Sequence, residues 1–326
     1  MSKPRVLIVS PALAQDNNGN WRTASRWQAF LSAVARVEIA RTWDGTPCDA
    51  MIALHARRSA DPVARIAIER PGTPIGLVLT GTDVYRDILQ DESARHSLEC
   101  ASGLVVLQPD ALERLAPAHR AKARVILQSA TAWRPRPRAR SIDFVAVGHL
   151  RDEKDPRTLM EAAGHLAPDL GVRIIHIGEA LDPALAEQAR RTMARCPHYR
   201  WLGGVPREKA RAWIASGRAL VHMSRIEGGA QAVIEAVRSG VPVLASRIGG
   251  NVGLLGEDYA GYFEAGNSLA LAACMRRFVL EPDYAAQLSK QCGRREPQFR
   301  PEVERALVRQ WIADLLDGSK RRVQAR

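Results

Sequence analysis

Short apolar runs, each about the length of one strand, alternate with helical patterns along most of the chain. The run RVLIVSP (residues 5–11) is continuously apolar and ends at a proline, which is typical of an interior strand of a parallel sheet. A helical pattern follows from about Trp21. Its apolar residues recur at steps of three and four: Ala24, Trp27, Leu31 and Val34. This alternation predicts an open parallel sheet with helices on both faces.

Further candidate strands continue the alternation in both halves of the chain. They cover residues 37–40, 50–54, 75–79, 104–107 and 125–127, and then the run IDFVAVGHL (142–150) and residues 172–177, 219–223 and 241–245. Helical patterns such as residues 60–69 and 110–115 lie between them. We therefore expect an α/β chain with two doubly wound halves.

The stretch TAWRPRPRARS (131–141) interrupts this rhythm. Its arginines are interleaved with prolines, which fit neither a helix nor an interior strand, so it is the best candidate linker. We predict an N-terminal Rossmann-like domain over 1–135 and a C-terminal Rossmann-like domain over 136–280. Helices over 281–326 are expected to pack back on the N-terminal domain. Ligands of such sheets lie beyond the carboxyl ends of the strands, which would place them in a central cleft between facing domains.

Composition limits the classes of protein to consider. The chain has 326 residues, of which 46% are hydrophobic, so it has material for two domains with buried cores. No apolar run approaches the roughly 20 residues of a membrane span, and residues 6–13 lack a signal-peptide cleavage site. The five cysteines are scattered, odd in number and without a C-x-x-C pair. That pattern argues against a disulfide framework or a zinc site and favours the reducing cytoplasm.

The formal net charge of +12 suits three kinds of partner: nucleic acid, a membrane surface or a small anionic substrate. Coding bias towards arginine and alanine is a fourth explanation. The basic residues are spread along the chain and lack the interleaved aromatic residues of single-strand binders. An anionic substrate or coding bias is therefore favoured, and a basic nucleic-acid-binding protein stays open as an alternative.

The segment SRIEGGAQAVIEAVRSG (224–240) carries the most specific pattern. It places Glu227 in a glycine turn after a candidate strand, and Glu235 inside the amphipathic helix that follows. Gly228 and Gly229 allow a ligand to approach the backbone closely, and the first turn of the helix suits a phosphate. Carboxylates on both sides of a phosphate match the hydroxyl groups of a nucleotide sugar. The structural alternative is an ordinary strand–helix unit with surface glutamates.

This segment, extended to residue 251, resembles the E-x7-E segment of family 4 glycosyltransferases, which have the GT-B fold of two Rossmann-like domains facing a central cleft. The resemblance implies that Glu227 contacts the transferred sugar and Glu235 the ribose. It further implies that the backbone of Gly228, Gly229 and Ala230 contacts the diphosphate of the donor. The sequence departs from the family where Gly229 and Ala230 replace an aromatic–glycine pair. The family glutamate after the next G-G turn is also absent from GGNVG (249–253).

A second segment, VAVGHLRDEKDPRTLMEA (145–162), resembles the family segment that brings a basic pair to the diphosphate. Lys154 matches the family lysine, whereas His149 aligns with the family arginine, so we expect Arg151 to substitute for it. Fixed cations would stabilise the charge that develops on the leaving phosphate. Lys154, Arg151 and Glu227 are the candidate catalytic residues, with His149 assigned to donor binding. The structural alternative for the segment is a solvent-exposed run of charged residues at the start of a helix.

In the N-terminal half, QDNNGNWRTASR (15–26) resembles the glycine loop of the family. The resemblance implies donor contacts from Gly19 and Asn20 and acceptor contacts from Thr23 and Arg26. Asn-Gly is also a common turn, and Asn20 a common residue at a helix N-cap.

Two further stretches supply candidate acceptor contacts. LTGTDVYRD (79–87) resembles an H-G-T-D turn in which Thr80 replaces the histidine, and it adds Thr82 and Asp83, although Asp83 suits a helix N-cap equally well. His55, Arg57 and Arg58 follow a candidate strand, where an anionic acceptor would need cations. A lone histidine at a strand end is more often structural.

Together these resemblances imply a glycosyltransferase that uses a UDP-sugar. No H-E-x-x-H, Ser-His-Asp or D-x-D signature occurs, so we expect transfer without a metal or another cofactor. An N-terminal domain limited to residues 1–135 has little room for a polymer or lipid, which favours a small acceptor. The segments VGHLRDEKDPR, GGNVGLLGEDYAGYF and LTGTDVYRD resemble most closely those of selenosugar synthases in selenoneine biosynthesis. That resemblance implies transfer of a hexose or N-acetylhexosamine to selenophosphate. Other small anions would need similar cations, and a small alcohol or thiol acceptor stays open.

Overall fold

The computed structural model describes residues 2–16, 19–133 and 142–324, with side chains as far as residue 318. It divides into two compact units. The N-terminal unit is formed by Met1–Gln128 together with Pro301–Arg326, and the C-terminal unit by Ser129–Arg300. Most of the predicted linker, residues 134–141, lies outside the described residues.

The N-terminal unit is built around a sheet of six strands, all parallel, in the order β2-β1-β3-β4-β5-β6. The strands are β1 (Arg5–Val9), β2 (Arg36–Ala40), β3 (Ala50–Leu54), β4 (Ile75–Leu79), β5 (Gly103–Val106) and β6 (Ala123–Val125). The α-helices are α1 (Gly19–Leu31), α2 (Ala60–Glu69), α3 (Ile88–Gln90), α4 (Glu92–Cys100), α5 (Asp110–Glu113), α6 (Pro117–Arg120) and, at the end of the chain, α14 (Pro301–Gln324). A 3-10 turn covers Ala14–Asp16, and a π-helical turn covers Asp83–Asp87.

The C-terminal unit repeats the architecture with a parallel sheet in the order β12-β11-β10-β7-β8-β9. Its strands are β7 (Ile142–Val147), β8 (Val172–Ile177), β9 (Tyr199–Trp201), β10 (Ala219–His222), β11 (Val243–Ser246) and β12 (Tyr262–Phe263). Its α-helices are α7 (Pro156–Gly164), α8 (Pro183–Arg195), α9 (Arg207–Ser216), α10 (Gln231–Arg238), α11 (Gly249–Leu255), α12 (Ser268–Leu280) and α13 (Pro282–Arg295). Three 3-10 turns cover Asp152–Lys154, Pro168–Leu170 and Glu296–Phe299.

The central strands follow the sequence pattern closely. Strands β3, β4 and β8 occupy the predicted residues, because each is a run of side chains buried almost throughout. Strand β7 begins with the predicted run at Ile142 and ends at Val147, before the end of that run. The prediction of residues 241–245 is wrong at its start, since β11 begins only after Pro242, which has no N–H to donate to a ladder. The prediction of residues 125–127 is also wrong, because the edge strand β6 ends at Val125. The short edge strands β9 and β12 were not predicted.

One predicted apolar position of α1 is wrong. The helix ends at Leu31, and Val34 lies in the turn beyond it with 43% of its surface exposed. The N–H groups of Val34 and Ala35 both donate to the Leu31 carbonyl, which closes the helix in a turn. Ala35 is buried in place of Val34.

The helices after residue 281 are divided between the units. Residues 282–300, including α13, belong to the C-terminal unit, where Arg295 donates to the carbonyls of Gly253 and Leu254. Helix α14 belongs to the N-terminal unit that we predicted for the whole group. Among the described residues, no helix is both long enough and apolar enough to cross a membrane.

Helix α14 docks on the N-terminal unit through one buried aromatic contact and one buried carboxylate. The Trp311 ring meets Trp27 edge-on at 5.8 Å, and a Cβ at Gly76 would lie 2.5 Å from Trp311, so β4 needs a glycine there. Glu304 is fully buried and accepts a hydrogen bond of 2.8 Å from Trp27 Nε1. The last helix is therefore part of the core of the first unit.

We expect Trp311→Ala to lower the free energy of unfolding of the N-terminal unit by about 3–5 kcal/mol, because it empties a packed site 2% exposed. Leu307→Ala on the same helix is the control. Its side chain is 43% exposed, so the change should stay within about 0.5 kcal/mol. Chemical denaturation of both variants measures the difference, and equal losses would show that α14 is not anchored by Trp311.

Candidate functional site

One group of candidate functional side chains lies at the carboxyl ends of the strands of the C-terminal sheet. Strand β10 ends at His222, residues 223–230 form a turn, and α10 begins at Gln231. Glu227 lies in this turn and is 8% exposed. Helix α10 buries its apolar face as predicted, and it buries Glu235 as well.

Three donors meet on one oxygen of Glu227. Its Oε1 accepts from Ser224 Oγ at 2.6 Å, lies 3.2 Å from His222 Nε2, and accepts from Lys154 Nζ. Burial raises the pKa of the Glu227 carboxyl, but Lys154 and His222 lower it by more, so the pKa falls well below its usual range. The carboxylate is therefore ionised at every pH at which the protein would be assayed.

The loop that carries Lys154 is fastened to the turn that carries Glu227. Asp155 follows Lys154 in a left-handed conformation with φ +47°, and its carboxylate accepts from Thr158 Oγ1 at 2.7 Å and lies 3.1 Å from Arg225 Nε. The Arg225 N–H donates to the Glu153 carbonyl at 2.9 Å. These bonds bring Lys154 to Glu227 across 73 residues of sequence.

Two glycines permit the close approach of these loops. A Cβ at Gly178 would lie 1.9 Å from the Gly148 carbonyl oxygen, and the φ of Gly178 is +156°. A Cβ at Gly250 would lie 2.3 Å from the Glu227 carbonyl oxygen. Because backbone atoms cannot yield as side chains do, both positions require glycine.

The other two candidates of this loop contact residues of the C-terminal unit other than Glu227. His149 is exposed, and its Nδ1 accepts from the Glu179 N–H at 3.2 Å. The Arg151 side chain is 41% exposed, and its Nε lies 3.9 Å from the Glu153 carboxylate. Of the predicted catalytic and donor-binding residues of this loop, Lys154 donates to Glu227.

The predicted phosphate-binding turn is buried and short. Gly228, Gly229 and Ala230 are all buried, and no side chain caps the N-terminus of α10. The turn that carries Glu227 is also bound to the end of the adjacent strand β11, which in turn is bound to the GGN segment (249–251) that follows that strand. There Asn251 Nδ2 donates to the Ser246 carbonyl at 2.9 Å, and Ser246 Oγ donates to the Ser224 carbonyl at 2.6 Å.

Glu235 is buried beside two arginines, so it is not the surface glutamate of the structural alternative. It is 5% exposed, and its Oε1 lies 3.4 Å from Arg207 Nη2 and 3.8 Å from Arg211 Nε, both from α9. Arg211 also donates to the Thr131 carbonyl at 2.7 Å and stacks 5.2 Å from the Trp133 ring. The signal for these partners was the spacing of two arginines four positions apart in REKAR, which places them on one helix face.

In the N-terminal unit, Asp83 joins the loops that follow β3 and β4. It is fully buried, and its carboxylate accepts from the N–H groups of Thr80 at 2.9 Å, Gly81 at 2.7 Å and Ala56 at 3.1 Å. Its carboxylate oxygens thus accept hydrogen bonds from the backbone of these two loops. The N-cap interpretation of Asp83 is wrong, because Thr82 occupies the capping position and Asp83 is the first residue of the π-helical turn.

His55 lies at the centre of the same loops. It is 2% exposed, has a left-handed φ of +73°, and its Nδ1 accepts from the Arg58 N–H at 3.3 Å. Its Nε2 then carries the proton towards Thr82 Oγ1 at 3.1 Å. Burial lowers the pKa of His55, and Arg58 adds to that effect, while the carboxylates of Asp83 and Asp87 oppose it. Such a left-handed non-glycine residue at a strand end is typical of functional sites.

Arg57 is paired rather than free. Its Nε lies 2.9 Å from Asp87 Oδ2, which in turn lies 3.7 Å from His55 Nε2. The pKa of Arg57 is raised by this hydrogen bond. The structure therefore brings together His55, Thr82, Asp83 and Arg57, with Asp87 as a member that the sequence did not suggest.

The candidates on α1 have partners within their own unit. Gly19 is the first residue of the helix and Asn20 the second, so the N-cap interpretation of Asn20 is wrong. Thr23 is buried and accepts from Gln128 Nε2 at 2.6 Å. Arg26 Nε lies 2.9 Å from Glu304. Residues 17 and 18 of the glycine loop lie outside the described residues.

His222 and Ser224 are functional candidates that the sequence analysis missed. They precede Glu227 by five and three positions, at the carboxyl end of a central strand, which is where polar residues of such sheets face ligands. No three His, Cys, Asp or Glu side chains form a metal-binding group in the part of the chain that the structure describes.

A model of the family "Glycosyl transferases group 1" matches residues 131–295, slightly more than half of the chain. Among solved structures, Anabaena Alr3699/HepE in complex with UDP and glucose has a TM-score of 0.75 at 15% identity, covering 97% of this chain and 100% of that one. Its complex with UDP-glucose has a TM-score of 0.76 at 14% identity, with 95% and 100% covered. A sucrose-phosphate synthase from Thermosynechococcus elongatus has a TM-score of 0.78 at 16% identity, with 97% and 100% covered. These similarities confirm the predicted GT-B fold with its two Rossmann-like domains.

The lowered pKa of His55 makes stability depend on pH. In the unfolded chain His55 takes up a proton near its ordinary pKa of 6.5, whereas in the folded chain it is protonated only at a lower pH. The free energy of unfolding therefore decreases as the pH falls below 6.5. We expect His55→Asn, which tolerates the left-handed backbone, to remove this part of the loss. Denaturation curves above and below pH 6.5 measure it, with the exposed His96→Asn as control. An identical loss in wild type and His55→Asn would contradict the assignment.

Proposed function

The chain belongs to the group 1 glycosyl transferases, and we propose that it transfers a hexose or N-acetylhexosamine from a UDP-sugar to a small anionic acceptor. In its most specific form, the acceptor is selenophosphate and the product is a selenosugar, as in selenoneine biosynthesis. The observation that carries the proposal is the Lys154–Glu227 pair beside the buried glycine turn at the carboxyl edge of the C-terminal sheet.

We assign the donor to this edge. The diphosphate would lie against the backbone of Gly228, Gly229 and Ala230, at the positive end of the α10 dipole. Glu235, in the second turn of the same helix, would accept from the ribose hydroxyls, and Glu227 from a hydroxyl of the sugar. Two similar structures are named as complexes, one with UDP and glucose and the other with UDP-glucose, which supports UDP as the nucleotide.

The chemistry requires cations more than it requires a base. The bond between the sugar C1 and the β-phosphate oxygen breaks, the bond between C1 and the acceptor forms, and UDP leaves with an added negative charge. With selenophosphate the new bond joins C1 to selenium, and water must then cleave the P–Se bond to give the selenosugar and phosphate. Lys154 is the fixed cation we assign to that charge, and it would act more strongly on the transition state than on the bound donor. We therefore propose transfer without a metal ion.

We assign the acceptor to the N-terminal unit, at the loops that follow β3 and β4. Arg57 and Arg58 are exposed beside the His55–Thr82 pair, and Thr80 lies in the same turn. Exposed guanidinium groups next to hydroxyl groups suit a small oxyanion such as selenophosphate. The five cysteines are unpaired, which is compatible with the reducing cytoplasm that we propose as the setting.

A product screen tests the function. The protein is mixed with UDP-glucose or UDP-N-acetylglucosamine and with selenophosphate, thiophosphate or phosphate, with and without a chelator. We expect UDP release and, by mass spectrometry, a selenosugar with selenophosphate, unchanged by the chelator. UDP release only with a small alcohol or thiol would replace the acceptor assignment. Absence of UDP release with every pair, together with steep salt-dependent binding to DNA, would overturn the proposal in favour of a nucleic-acid-binding protein.

Glu235→Ala should weaken the binding of free UDP and of UDP-sugar alike, by roughly tenfold to a hundredfold, because a charged hydrogen bond to the ribose is lost. Calorimetry with UDP measures it. Glu208→Ala is the matched control, since this exposed glutamate of α9 also lies near Arg211, at 3.7 Å. Unchanged UDP affinity in folded Glu235→Ala would rule out the ribose contact.

Lys154→Ala should slow turnover by about a hundredfold to a thousandfold with a modest change in KM, because the leaving phosphate loses its cation. Lys209→Ala, an exposed lysine of α9, should leave turnover unchanged. Arg151→Ala should resemble Lys154→Ala if Arg151 fills the role of the family arginine. A damaging His149→Ala beside a silent Arg151→Ala would assign that role to the histidine instead.

A further inference from the structure

The proposed function gives Lys154 two different contacts, one with Glu227 and one with the diphosphate of the donor. In the structure Lys154 donates to Glu227 Oε1, yet during transfer it is assigned to the diphosphate. If Lys154 turns away, Glu227 becomes a carboxylate 8% exposed without its cation. Such a group is costly to leave uncompensated in a protein interior. The site therefore needs donors that stay on Glu227 when Lys154 leaves.

His222 is fixed where such a donor is required. It is the last residue of β10, which lies between β7 and β11, and it pairs in register with Ala245. The residue is 4% exposed, and its Nε2 lies 3.2 Å from Glu227 Oε1. Lys154, by contrast, stands on a loop with 22% of its side chain exposed. The histidine is thus the more rigid of the two partners.

The second ring nitrogen of His222, Nδ1, indicates that the residue has a role other than packing. Nδ1 of His222 is buried and has no hydrogen-bond partner in the described part of the chain. A buried polar atom without a partner destabilises a fold, so an apolar residue would suit this strand end better if packing were its only role. The contact with ionised Glu227 also sets the tautomer, since Nε2 must carry the proton in order to donate.

We propose that His222 is a positioning residue for the transferred sugar, which holds Glu227 Oε1 through Nε2–H while Lys154 moves to the diphosphate. Ser224 Oγ, at 2.6 Å from the same oxygen, assists it. Because all three donors meet on Oε1, Oε2 is the oxygen that accepts from the sugar hydroxyl. The inference rests on the proposed function, in which Glu227 contacts the sugar and Lys154 the phosphate.

The test is a double-mutant cycle between His222 and Glu227, with kcat/KM for the UDP-sugar and the affinity for free UDP as readouts. We expect His222→Leu to lower kcat/KM by roughly tenfold to a hundredfold while UDP affinity stays the same. In the Glu227→Ala background, His222→Leu should cause no further loss, because the carboxylate it positions is gone.

Two amide variants separate the hydrogen bond from the packing of the ring. Gln places its N–H close to the site of Nε2, so His222→Gln should restore most of the lost kcat/KM. Asn places its N–H near the site of Nδ1, and its side chain is too short for that N–H to reach Glu227. His222→Asn should therefore resemble His222→Leu. The pair keeps the test valid if the leucine variant fails to fold.

His176→Leu is the matched control, since His176 is a fully buried histidine of β8 that contacts Tyr199 Oη at 2.8 Å instead of Glu227. Any effect it has should be the same in the wild-type and Glu227→Ala backgrounds. Multiplicative losses for His222 and Glu227, or no recovery with Gln, would overturn the inference while leaving the proposed function intact. Absence of UDP release from the wild type would overturn both.

Discussion

The buried charge of Glu227 is the constraint on which the rest of the C-terminal site depends. A carboxylate with so little exposure stays ionised only if cations and donors reach it, and Lys154 and His222 lower its pKa against the opposing effect of burial. One partner comes from the strand that precedes the turn, and the other from a loop 73 residues earlier. The loop after β7 and the turn after β10 must therefore close on each other for either to be stable.

That closure explains features that would otherwise be unrelated. Gly178 lets the loop after β8 pass against Gly148, and Gly250 lets α11 begin directly against the Glu227 backbone. The left-handed Asp155 turns the chain just after Lys154 and accepts from Arg225 beside the glutamate. In the GGN segment, Asn251 donates to the Ser246 carbonyl, so that segment serves the scaffold of the turn. The site is rigid because backbone meets backbone at two of its borders.

The sequence predicted the parts of the molecule that local pattern determines. Interior strands such as β3 and β8 were placed to the residue, because burial on both faces leaves an unbroken apolar run. The edge strand β9 is three residues long, too short for any period to appear. The roles of Lys154 and Glu227 came from a resemblance, and the residues alone could not show that the two share an oxygen with His222. Contacts such as that of Arg26 with Glu304 join positions 278 apart, so no local pattern contains them.

The two units use their charged groups in different ways, and this bears on how acceptor choice is encoded. In the N-terminal unit, the buried carboxylates Asp83 and Glu304 bind backbone N–H groups, Trp27 and Arg26 of the same unit. They hold the loops and the last helix in place, and have little to offer an anion. The groups left at the surface of those loops are the guanidinium groups of Arg57 and Arg58 and the hydroxyl of Thr80, all on exposed or half-buried side chains.

Substitution at Arg58 or Thr80 costs little stability, whereas a change at Arg57 or near Glu227 disturbs a buried charge, that of Asp87 or of Glu227. On the proposed function, the nature of the acceptor is thus set by side chains at the surface of these loops, and the handling of the donor by a buried network that tolerates little change. Related chains that share the donor site would then differ in acceptor through the loops after β3 and β4.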